Sequence, residues 1–390
     1  MSYKSLYAAF DLYPSPKGAA THIYQFSNAL FSYFNGGYLF VLGNDRLPVY
    51  QKEENIEIFR FNEPVPNYLE RAELFGISLS NFVSDKKDLQ LVHFRDIWSG
   101  LALLTENRKY RTVFEVNALP SIELPYRYSL ISVQTLEKIR NLELFCLQNC
   151  DQIICPSAVI KENLVKLELP AEKIALISNG ADLTVNIKEV PGKPENYIIY
   201  FGALQIWQGV DDLIKAFSNL RDFEDLKLVI CSSNRPGFAK PYKKLAVKLG
   251  VDKNIIWNYQ LPKEELNDWV KNAKVSVAPM KDTERNTVQG FSPLKIFESM
   301  ALSTPVVATD LPSVREIITD KENGRLTRPD RPAELSRVIR FLLDYPSYAE
   351  KLGMNGKATI EKKFSWHQKI EDLKGIYSNL IKFDSSIFRI

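Results

Sequence analysis

Short apolar segments alternate along this chain with longer stretches in which apolar residues recur every three or four positions. The short segments predict buried strands, the longer stretches predict helices, and their alternation is typical of parallel sheets with crossover helices. The predicted fold class is therefore α/β. Strands are predicted in the first half at residues 6–12, 38–42, 56–61, 89–94, 112–116, 152–154 and 174–177, and in the second half at residues 197–201, 226–231, 255–257, 275–278 and 305–308.

A break in this pattern separates two units of similar size. Residues 186–196 contain two prolines and a glycine among charged residues and show no periodicity, which predicts a linker. We therefore expect a Rossmann-like domain at residues 1–190 and a second one at residues 194–366, facing each other across a cleft. The last segment, 367–390, is mostly helical with no strand after it, and we expect it to pack back on the first domain.

The composition excludes several classes of protein. Across 390 residues, 50 basic and 47 acidic side chains leave a net charge of +3, so no nucleic-acid partner is expected. The four cysteines lack the paired spacing of a zinc site and are expected to be reduced. No uncharged run is long enough to span a bilayer, and no long apolar run follows Met1. We expect a cytoplasmic protein, and peripheral contact with the inner face of the plasma membrane stays open.

The strongest candidate for ligand binding follows the predicted strand 275–278. Ser292 suits an N-cap and Pro293 suits the first helical position, so the sequence predicts a helix that begins there. Lys295 then places a cation in the first turn, where the helix dipole disfavours positive charge by roughly 0.3–1 kcal/mol. A bound anion would reverse this penalty, because backbone N–H groups, a hydroxyl and an ammonium would converge on it. In open parallel sheets, ligands bind beyond the carboxyl ends of strands, where this helix begins.

A plainer interpretation of the same helix stays open. Glu298 follows Lys295 by three positions and shares its helical face. The two side chains could form a surface ion pair, and such pairs are common and contribute little.

A second candidate is the loop after the first strand, which precedes a helix with apolar residues at helical spacing. Gly18 would let the backbone approach a ligand closely, and Lys17 could meet an anion. The loop matches neither the dinucleotide-binding glycine fingerprint nor a P-loop. An ordinary strand-to-helix turn that needs one glycine is the alternative.

The sequence lacks the motifs of several common kinds of catalytic site. It contains no Gly-x-Ser-x-Gly elbow, no His-Glu-x-x-His helix and only three histidines, His22, His93 and His367. It also has no Asp-x-Asp stretch to hold a metal-bound diphosphate, so no metal or other cofactor is expected. A diphosphate leaving group would have to be neutralised by helix dipoles and side-chain cations.

With these residues in hand, the chain resembles the retaining glycosyltransferases of family 4, which have the GT-B fold. The resemblance spans nearly the whole chain. It rests on four stretches in this order: Pro156-Ser157 with 177–182, Tyr200-Phe201-Gly202-Ala203-Leu204, residues 290–301 (Gly-Phe-Ser-Pro-Leu-Lys-Ile-Phe-Glu-Ser-Met-Ala), and residues 304–310 (Thr-Pro-Val-Val-Ala-Thr-Asp).

The resemblance implies roles for particular residues. The helix at Ser292 would bind the donor diphosphate, Glu298 would bind the ribose, and Gly18 would close over the phosphates. The donor-binding candidates are Lys17, Gly18, Ala19, Arg285, Gly290, Phe291, Ser292, Pro293, Leu294, Lys295 and Glu298. The catalytic candidates are Asn117 and Lys295, and the nucleobase candidates are Ser232, Tyr259 and Gln260.

The sequence departs from the family pattern at four of these functional positions. Gly290 stands where the first carboxylate of the usual Glu-x7-Glu pair is expected, which puts the sugar contacts in doubt. Ala203 and Gln208 replace an arginine and a lysine that bind phosphates. Residues 202–209 instead look like a subfamily variant with a Trp-Gln-Gly turn, and Lys295, with Arg285 or Lys281, is expected to compensate.

The fourth departure is Asn117, where relatives have a histidine near the donor sugar. An amide can bond a sugar hydroxyl but cannot carry a proton. The family's implied mechanism tolerates this, because the acceptor attacks on the face from which the diphosphate leaves and a phosphate oxygen takes the proton. His93, Arg95 and Glu115 lie at predicted strand ends and are equally consistent with a site or with structural roles.

The resemblance predicts an enzyme that transfers a hexose from a UDP-sugar, with glucose favoured, to a glycan or lipid-linked acceptor. Retention of configuration and a role in polysaccharide or glycoconjugate biosynthesis go with this prediction. One alternative is a nucleotide-sugar 2-epimerase of the same fold, although its chemistry needs more carboxylates and histidines. Another is a protein that binds a nucleotide sugar without transferring it, which the loss of cations at Ala203 and Gln208 would permit.

Overall fold

The computed structural model describes residues 3–387, with side chains to residue 382, and divides into two compact units. The first unit comprises the chain up to residue 15, residues 19–178, and the C-terminal segment from residue 369. The second comprises residues 179–368 together with the short segment Pro16–Gly18.

The division falls before the predicted linker, because the segment after Ser178 packs on the second unit. Asn179 bonds Ser292, Ala181 forms a parallel bridge with Ser365, and the backbone N–H of Val190 donates to Asp268 Oδ2 at 2.7 Å. Proline and glycine content marked the irregular stretch, but the packing of the residues around it sets the boundary.

The first unit contains an eight-stranded sheet within the described residues, in the order β3-β4-β2-β1-β5-β6-β7-β8. Its strands are β1 (Ser5–Leu12), β2 (Gly37–Leu42), β3 (Tyr50–Glu53), β4 (Ile56–Phe61), β5 (Leu91–Phe94), β6 (Arg111–Glu115), β7 (Gln152–Cys155) and β8 (Ile174–Leu176). The helices that follow them are α1 (Gly18–Phe34), α2 (Tyr68–Ser84), α3 (Ile97–Leu103), α4 (Pro120–Arg127), α5 (Val133–Asn149) and α6 (Ala158–Val165).

All neighbouring strands of this sheet are parallel except β3 and β4. Strands such as β5 are buried along their whole length, as expected when helices cover both faces of a sheet. In α1, Ile23, Phe26 and Leu30 recur at helical spacing and are buried. The sequence did not predict β3, because this edge strand is polar and largely exposed.

The second unit contains a parallel sheet of six strands among the described residues, in the order β11-β10-β9-β12-β13-β14. Its strands are β9 (Tyr197–Gly202), β10 (Lys227–Ser232), β11 (Ile255–Tyr259), β12 (Val275–Ala278), β13 (Val306–Thr309) and β14 (Arg325–Thr327). Its helices are α7 (Val210–Phe217), α8 (Lys240–Lys248), α9 (Lys263–Lys271), α10 (Glu284–Thr287), α11 (Leu294–Ala301), α12 (Pro312–Arg315), α13 (Pro332–Asp344) and α14 (Pro346–Lys363).

The last helix, α15 (Trp366–Ile387), returns the chain to the first unit from residue 369 onward. Tyr377 of this helix is completely buried, and its hydroxyl lies 2.8 Å from His93 Nδ1 at the end of β5. The α/β class with two Rossmann-like units is confirmed, and each strand predicted from the apolar segments is present with small shifts at its ends.

Candidate functional site

The helix α11 begins at Leu294, one residue later than the sequence predicted. Pro293 occupies the N-cap position with φ −80° and ψ 99°, and no side chain caps the helix start. Ser292 is not the N-cap, and its polar atoms bond Asn179 instead: the Asn179 backbone N–H donates to Ser292 Oγ at 3.1 Å, and Asn179 Nδ2 donates to the Ser292 carbonyl at 2.7 Å. The first N–H groups of α11 are therefore left for another acceptor.

Lys295, the second residue of α11, lies between the end of β9 and the turn that follows it. Its Nζ is 4.3 Å from the centroid of the Tyr200 ring and donates to Gln208 Oε1 at 2.5 Å. A Cβ at Gly202 would come within 3.3 Å of the same Nζ.

Burial lowers the pKa of the Lys295 ammonium to about 7, with Glu298 opposing this shift and Arg285 adding to it. Lys295 is thus a cation in a position that disfavours its charge, and the cause is burial, where the sequence argument had relied on the helix dipole. An anion bound at the helix start would restore the charged form.

Glu298 pairs with Lys263 at 2.6 Å, where the sequence suggested a pair with Lys295. Lys263 begins α9, directly after the loop that follows β11. The simple surface-pair interpretation of the Lys295–Glu298 spacing is therefore wrong. Sequence reasoning did not single out Lys263, because the pairing depends on two helices that meet only in the folded unit.

The Trp-Gln-Gly turn places Gln208 against Lys295. The Trp207 carbonyl accepts from the Lys281 backbone N–H at 3.0 Å and from Asn286 Nδ2 at 2.9 Å. Gly209 has φ +67°, and a Cβ there would lie 1.8 Å from the Pro279 carbonyl oxygen, so only glycine fits. Where the family resemblance expects a lysine, this chain holds an amide that accepts from Lys295.

The two other cations proposed to compensate have different surroundings. Lys281 lies 2.8 Å from Asp211 and 3.2 Å from Asp212, so its charge is already paired with two carboxylates of its own unit. The Arg285 guanidinium stacks 5.3 Å from the Trp207 ring and 5.9 Å from the Phe291 ring. Arg285 therefore lies beside the residues that precede α11.

The backbone explains why no carboxylate stands at Gly290. This residue has φ +81°, in the left-handed region where a side chain is strained. Phe291 follows with its side chain buried and its N–H 3.3 Å from Ser313 Oγ. The turn into α11 thus favours glycine at this position.

The three nucleobase candidates lie together at the carboxyl ends of β10 and β11. Ser232 is aligned with Tyr259 in the parallel pair, and the Gln260 N–H donates to the Ser232 carbonyl at 2.7 Å. The Ser232 hydroxyl already accepts from the Asn234 N–H at 3.0 Å. The Tyr259 hydroxyl is buried and has no hydrogen-bond partner among the described residues.

The glycine loop groups with the second unit through residues Pro16–Gly18. A Cβ at Gly18 would lie 3.0 Å from Leu294 Cδ1, so this glycine is close to the start of α11. Lys17 is exposed, and the Ala19 carbonyl accepts from Arg95 Nη1 at 3.3 Å. The structure thus brings Gly18 to the helix that the sequence selected independently.

Glu115 is the centre of a buried polar cluster in the first unit. Its carboxylate is 3.0 Å from His22 Nδ1 and 3.3 Å from His93 Nε2, and it accepts from the Tyr7 hydroxyl at 2.8 Å. Asn117 Nδ2 also donates to Glu115. The sequence left Glu115 and His93 open and did not select His22, whose approach to Glu115 depends on packing of α1 against the sheet.

The charges around Glu115 favour its ionised form. Burial alone would raise the pKa of Glu115, but His22, His93 and Arg95 outweigh burial and hold that pKa well below its usual range. Burial lowers the pKa of His93. Glu115 is 1% exposed, so its carboxylate is shielded from solvent by the side chains around it.

Two family descriptions match successive parts of the chain. Residues 16–185 match "Glycosyltransferase Family 4", and residues 185–359 match "Glycosyl transferases group 1". The chain is related to glycosyltransferases. A mannosyltransferase of Mycolicibacterium hassiacum, "MMP alpha-(1->4)-mannosyltransferase", is 29% identical over 227 residues, which are 58% of this chain and 53% of that protein. The chain thus spans about half the length of this relative.

Two solved structures share the fold over nearly the whole chain. Sucrose-phosphate synthase from Thermosynechococcus elongatus has a TM-score of 0.79 at 18% identity and covers 97% of this chain and 99% of its own. Anabaena HepE in complex with UDP and glucose has a TM-score of 0.73 at 16% identity, and the match covers 96% of this chain and 99% of the HepE chain. The predicted GT-B fold is confirmed. Within residues 3–387, no helix is long and apolar enough to cross a membrane.

Proposed function

We propose that this glycosyltransferase relative transfers a hexose from a UDP-sugar, with glucose favoured, to a glycan or lipid-linked acceptor with retention of configuration. Its role would be in polysaccharide or glycoconjugate biosynthesis. The observation that carries the proposal is the uncapped start of α11 beside the Lys295 ammonium. Together they supply backbone donors and a cation where a diphosphate needs neutralising.

Different residues at the start and in the middle of α11 would bind two parts of the donor, the diphosphate and the ribose. The Ser292 hydroxyl, the first N–H groups of α11 and Lys295 would bind the diphosphate. Glu298 would bind the ribose: Lys263 contacts Oε1, so Oε2 can accept from a ribose hydroxyl. The nearby strand ends at Ser232 and Tyr259 would contact the base.

Retention fits the polar groups that the chain offers. If the acceptor attacks from the face that the diphosphate leaves, a phosphate oxygen can take the acceptor proton, and no protein base is needed. Asn117 would then bond a sugar hydroxyl. The proposal includes no metal, because the sequence has no Asp-x-Asp stretch for a metal-bound diphosphate.

Uridine diphosphate is the favoured nucleotide because a structural neighbour, HepE, was crystallised in complex with UDP and glucose. Calorimetric titration with UDP, GDP, ADP and uridine tests the choice. Lys295→Ala should weaken UDP far more than uridine, since only UDP carries the phosphates. Equal loss for both ligands would contradict the phosphate role of Lys295.

Transfer itself is tested by supplying UDP-glucose with candidate glycan and lipid-linked acceptors and following UDP release and product mass. We expect a product that retains the anomeric configuration and disappears in Glu298→Ala and Lys295→Ala. UDP-glucose binding without transfer to any acceptor would favour a binding protein.

A nucleotide-sugar 2-epimerase is the second candidate, because two of the three histidines, His22 and His93, contact the Glu115 carboxylate. Their burial argues against direct contact with a sugar. Incubating the protein with UDP-sugars and no acceptor, and finding an epimerised donor, would favour this candidate over transfer.

A further inference from the structure

Asn179 connects the start of the second unit to the residue that introduces α11, 113 positions later in the sequence. Its backbone N–H donates to Ser292 Oγ, and its side-chain Nδ2 donates to the Ser292 carbonyl. The amide orientation follows from chemistry, because the opposite orientation would turn Oδ1 toward a carbonyl that can only accept. Asn179 is 6% exposed, so water does not compete freely for these bonds.

The first of these bonds decides the hydrogen-bonding sense of the Ser292 hydroxyl. A serine hydroxyl has one proton to donate and two lone pairs that accept. Because Asn179 donates to the oxygen, the proton of Ser292 is directed elsewhere, and the described residues contain no acceptor bonded to it. The hydroxyl is therefore oriented to donate to a ligand oxygen.

The second bond fixes the peptide that leads into α11. Pro293 has no N–H and restricts the residue before it to extended conformations. Holding the Ser292 carbonyl therefore sets the direction in which Leu294 and Lys295 present their N–H groups. One asparagine thereby controls both the hydroxyl and the helix donors.

The backbone around Asn179 is itself anchored. The Ala181 N–H donates to the Phe364 carbonyl at 2.9 Å, and the Trp366 N–H donates to the Ala181 carbonyl at 3.2 Å. A Cβ at Gly180 would lie 2.7 Å from the Phe364 carbonyl oxygen, so this close approach requires glycine. Asn179 thus projects from a segment that cannot easily shift.

We propose that Asn179 is a positioning residue of the diphosphate site, which holds Ser292 so that its hydroxyl donates to a phosphate oxygen. This inference rests on the proposed function. It assigns Asn179 a role that the sequence did not reveal, since the Asn-Gly pair by itself predicted only a turn before the linker.

Titration calorimetry with UDP and with uridine tests the inference on the full chain. Asn179→Ala removes the side-chain bond, and we expect the Kd for UDP to rise about fivefold, the range of one neutral hydrogen bond, while uridine changes less than about twofold. Asn179→Asp keeps the size of the side chain but cannot donate to the carbonyl and adds negative charge. Asn179→Asp should therefore raise the Kd for UDP more than Asn179→Ala does.

A matched control is Asn323→Ala. Asn323 is also a buried asparagine of the second unit, and its Nδ2 donates to the Ile317 carbonyl at 3.1 Å and to Thr359 Oγ1 at 3.1 Å. Within the described part of the chain, its side chain forms no hydrogen bond with Ser292 or α11. We expect its loss to lower the melting temperature and leave the ratio of UDP to uridine affinity unchanged. A purely structural role for Asn179 would give the same result as this control and would overturn the inference.

A double-mutant cycle separates positioning through Ser292 from an independent effect. In a Ser292→Ala background, Asn179→Ala should lose the part of its effect on UDP affinity that acts through the Ser292 hydroxyl and keep the part that acts through the Ser292 carbonyl. Full additivity overturns the inference. If the wild-type protein does not bind UDP, the proposed function and this inference both fail. If it binds UDP and Asn179→Ala binds equally well, only this inference fails.

Discussion

Raising the pH above 7 discharges the Lys295 ammonium in the free protein, because burial lowers its pKa to about 7. A bound diphosphate would stabilise the ammonium and raise that pKa, so UDP binding above pH 7 requires uptake of a proton. Proton linkage then makes the Kd for UDP rise by up to about tenfold for each pH unit between the free and bound pKa values, or about 1.4 kcal/mol per unit. Titration of the UDP phosphates does not mask this dependence, because a terminal phosphate has a pKa of about 6 and is fully ionised above about pH 7.5.

The assay is titration calorimetry between about pH 7.5 and about pH 9, in two buffers with different ionisation enthalpies. We expect the difference between buffers to report uptake of nearly one proton at the higher pH for UDP and none for uridine. Lys295→Arg should remove the pH dependence, because a guanidinium stays charged throughout this range, whatever the absolute affinity. A UDP affinity that is constant with pH in the wild-type protein, or an equal slope in Lys295→Arg, would refute the reasoning.

Three further outcomes are expected. Glu298→Ala should weaken UDP and uridine alike, by at least about tenfold as for a hydrogen bond to a charged group, since both ligands carry the ribose; an effect confined to UDP would contradict the ribose role. Gly290→Glu, which restores the family's carboxylate, should lower the free energy of unfolding by roughly 1–2 kcal/mol because φ is +81°, and an unchanged urea midpoint would show that the turn can relax. Glu115→Gln should lower the free energy of unfolding by about 3–5 kcal/mol, because it removes the charge at the centre of a buried cluster. Because the pKa of Glu115 is low in the folded protein, its carboxylate stabilises the fold fully above the pKa of the unfolded state, and this stabilisation is lost as the pH falls through the folded pKa. The melting temperature of the variant should therefore depend less on pH than that of the wild type between about pH 3 and about pH 5. An equal pH dependence in both proteins would contradict the ionised state of Glu115.

The pattern of apolar residues predicted most of the two sheets because burial of a parallel strand is a local property. Strand β5 is apolar and buried along its length, and its position follows from its own residues. Strand β3 is polar and pairs only at an edge, and the short β14 has two half-buried positions out of three, so neither has a comparable local signal. Both depend on the neighbouring strand for their conformation.

The sequence correctly predicted a helix in the segment around α11 but not the residue at which it begins. Serine followed by proline predicts a helix start, yet the helix begins at Leu294 and Ser292 bonds Asn179. The charge of Lys295 is disfavoured by burial, a cause different from the helix dipole on which the sequence argument rested. The sequence could not show that an aromatic ring and an amide surround that charge.

The sequence by itself determined the α/β class, most of the strands, and a helix that begins near Ser292 with a lysine in its first turn, because each depends on residues close together in the chain. The tertiary structure alone decided which side chains meet there: Lys295 with Gln208, Glu298 with Lys263, and Ser292 with Asn179. These pairs join residues from different loops and helices. The first two pairs form when the second sheet brings the carboxyl ends of its strands together, and the third forms because the segment after Ser178 packs on the second unit. No spacing in the sequence records these contacts.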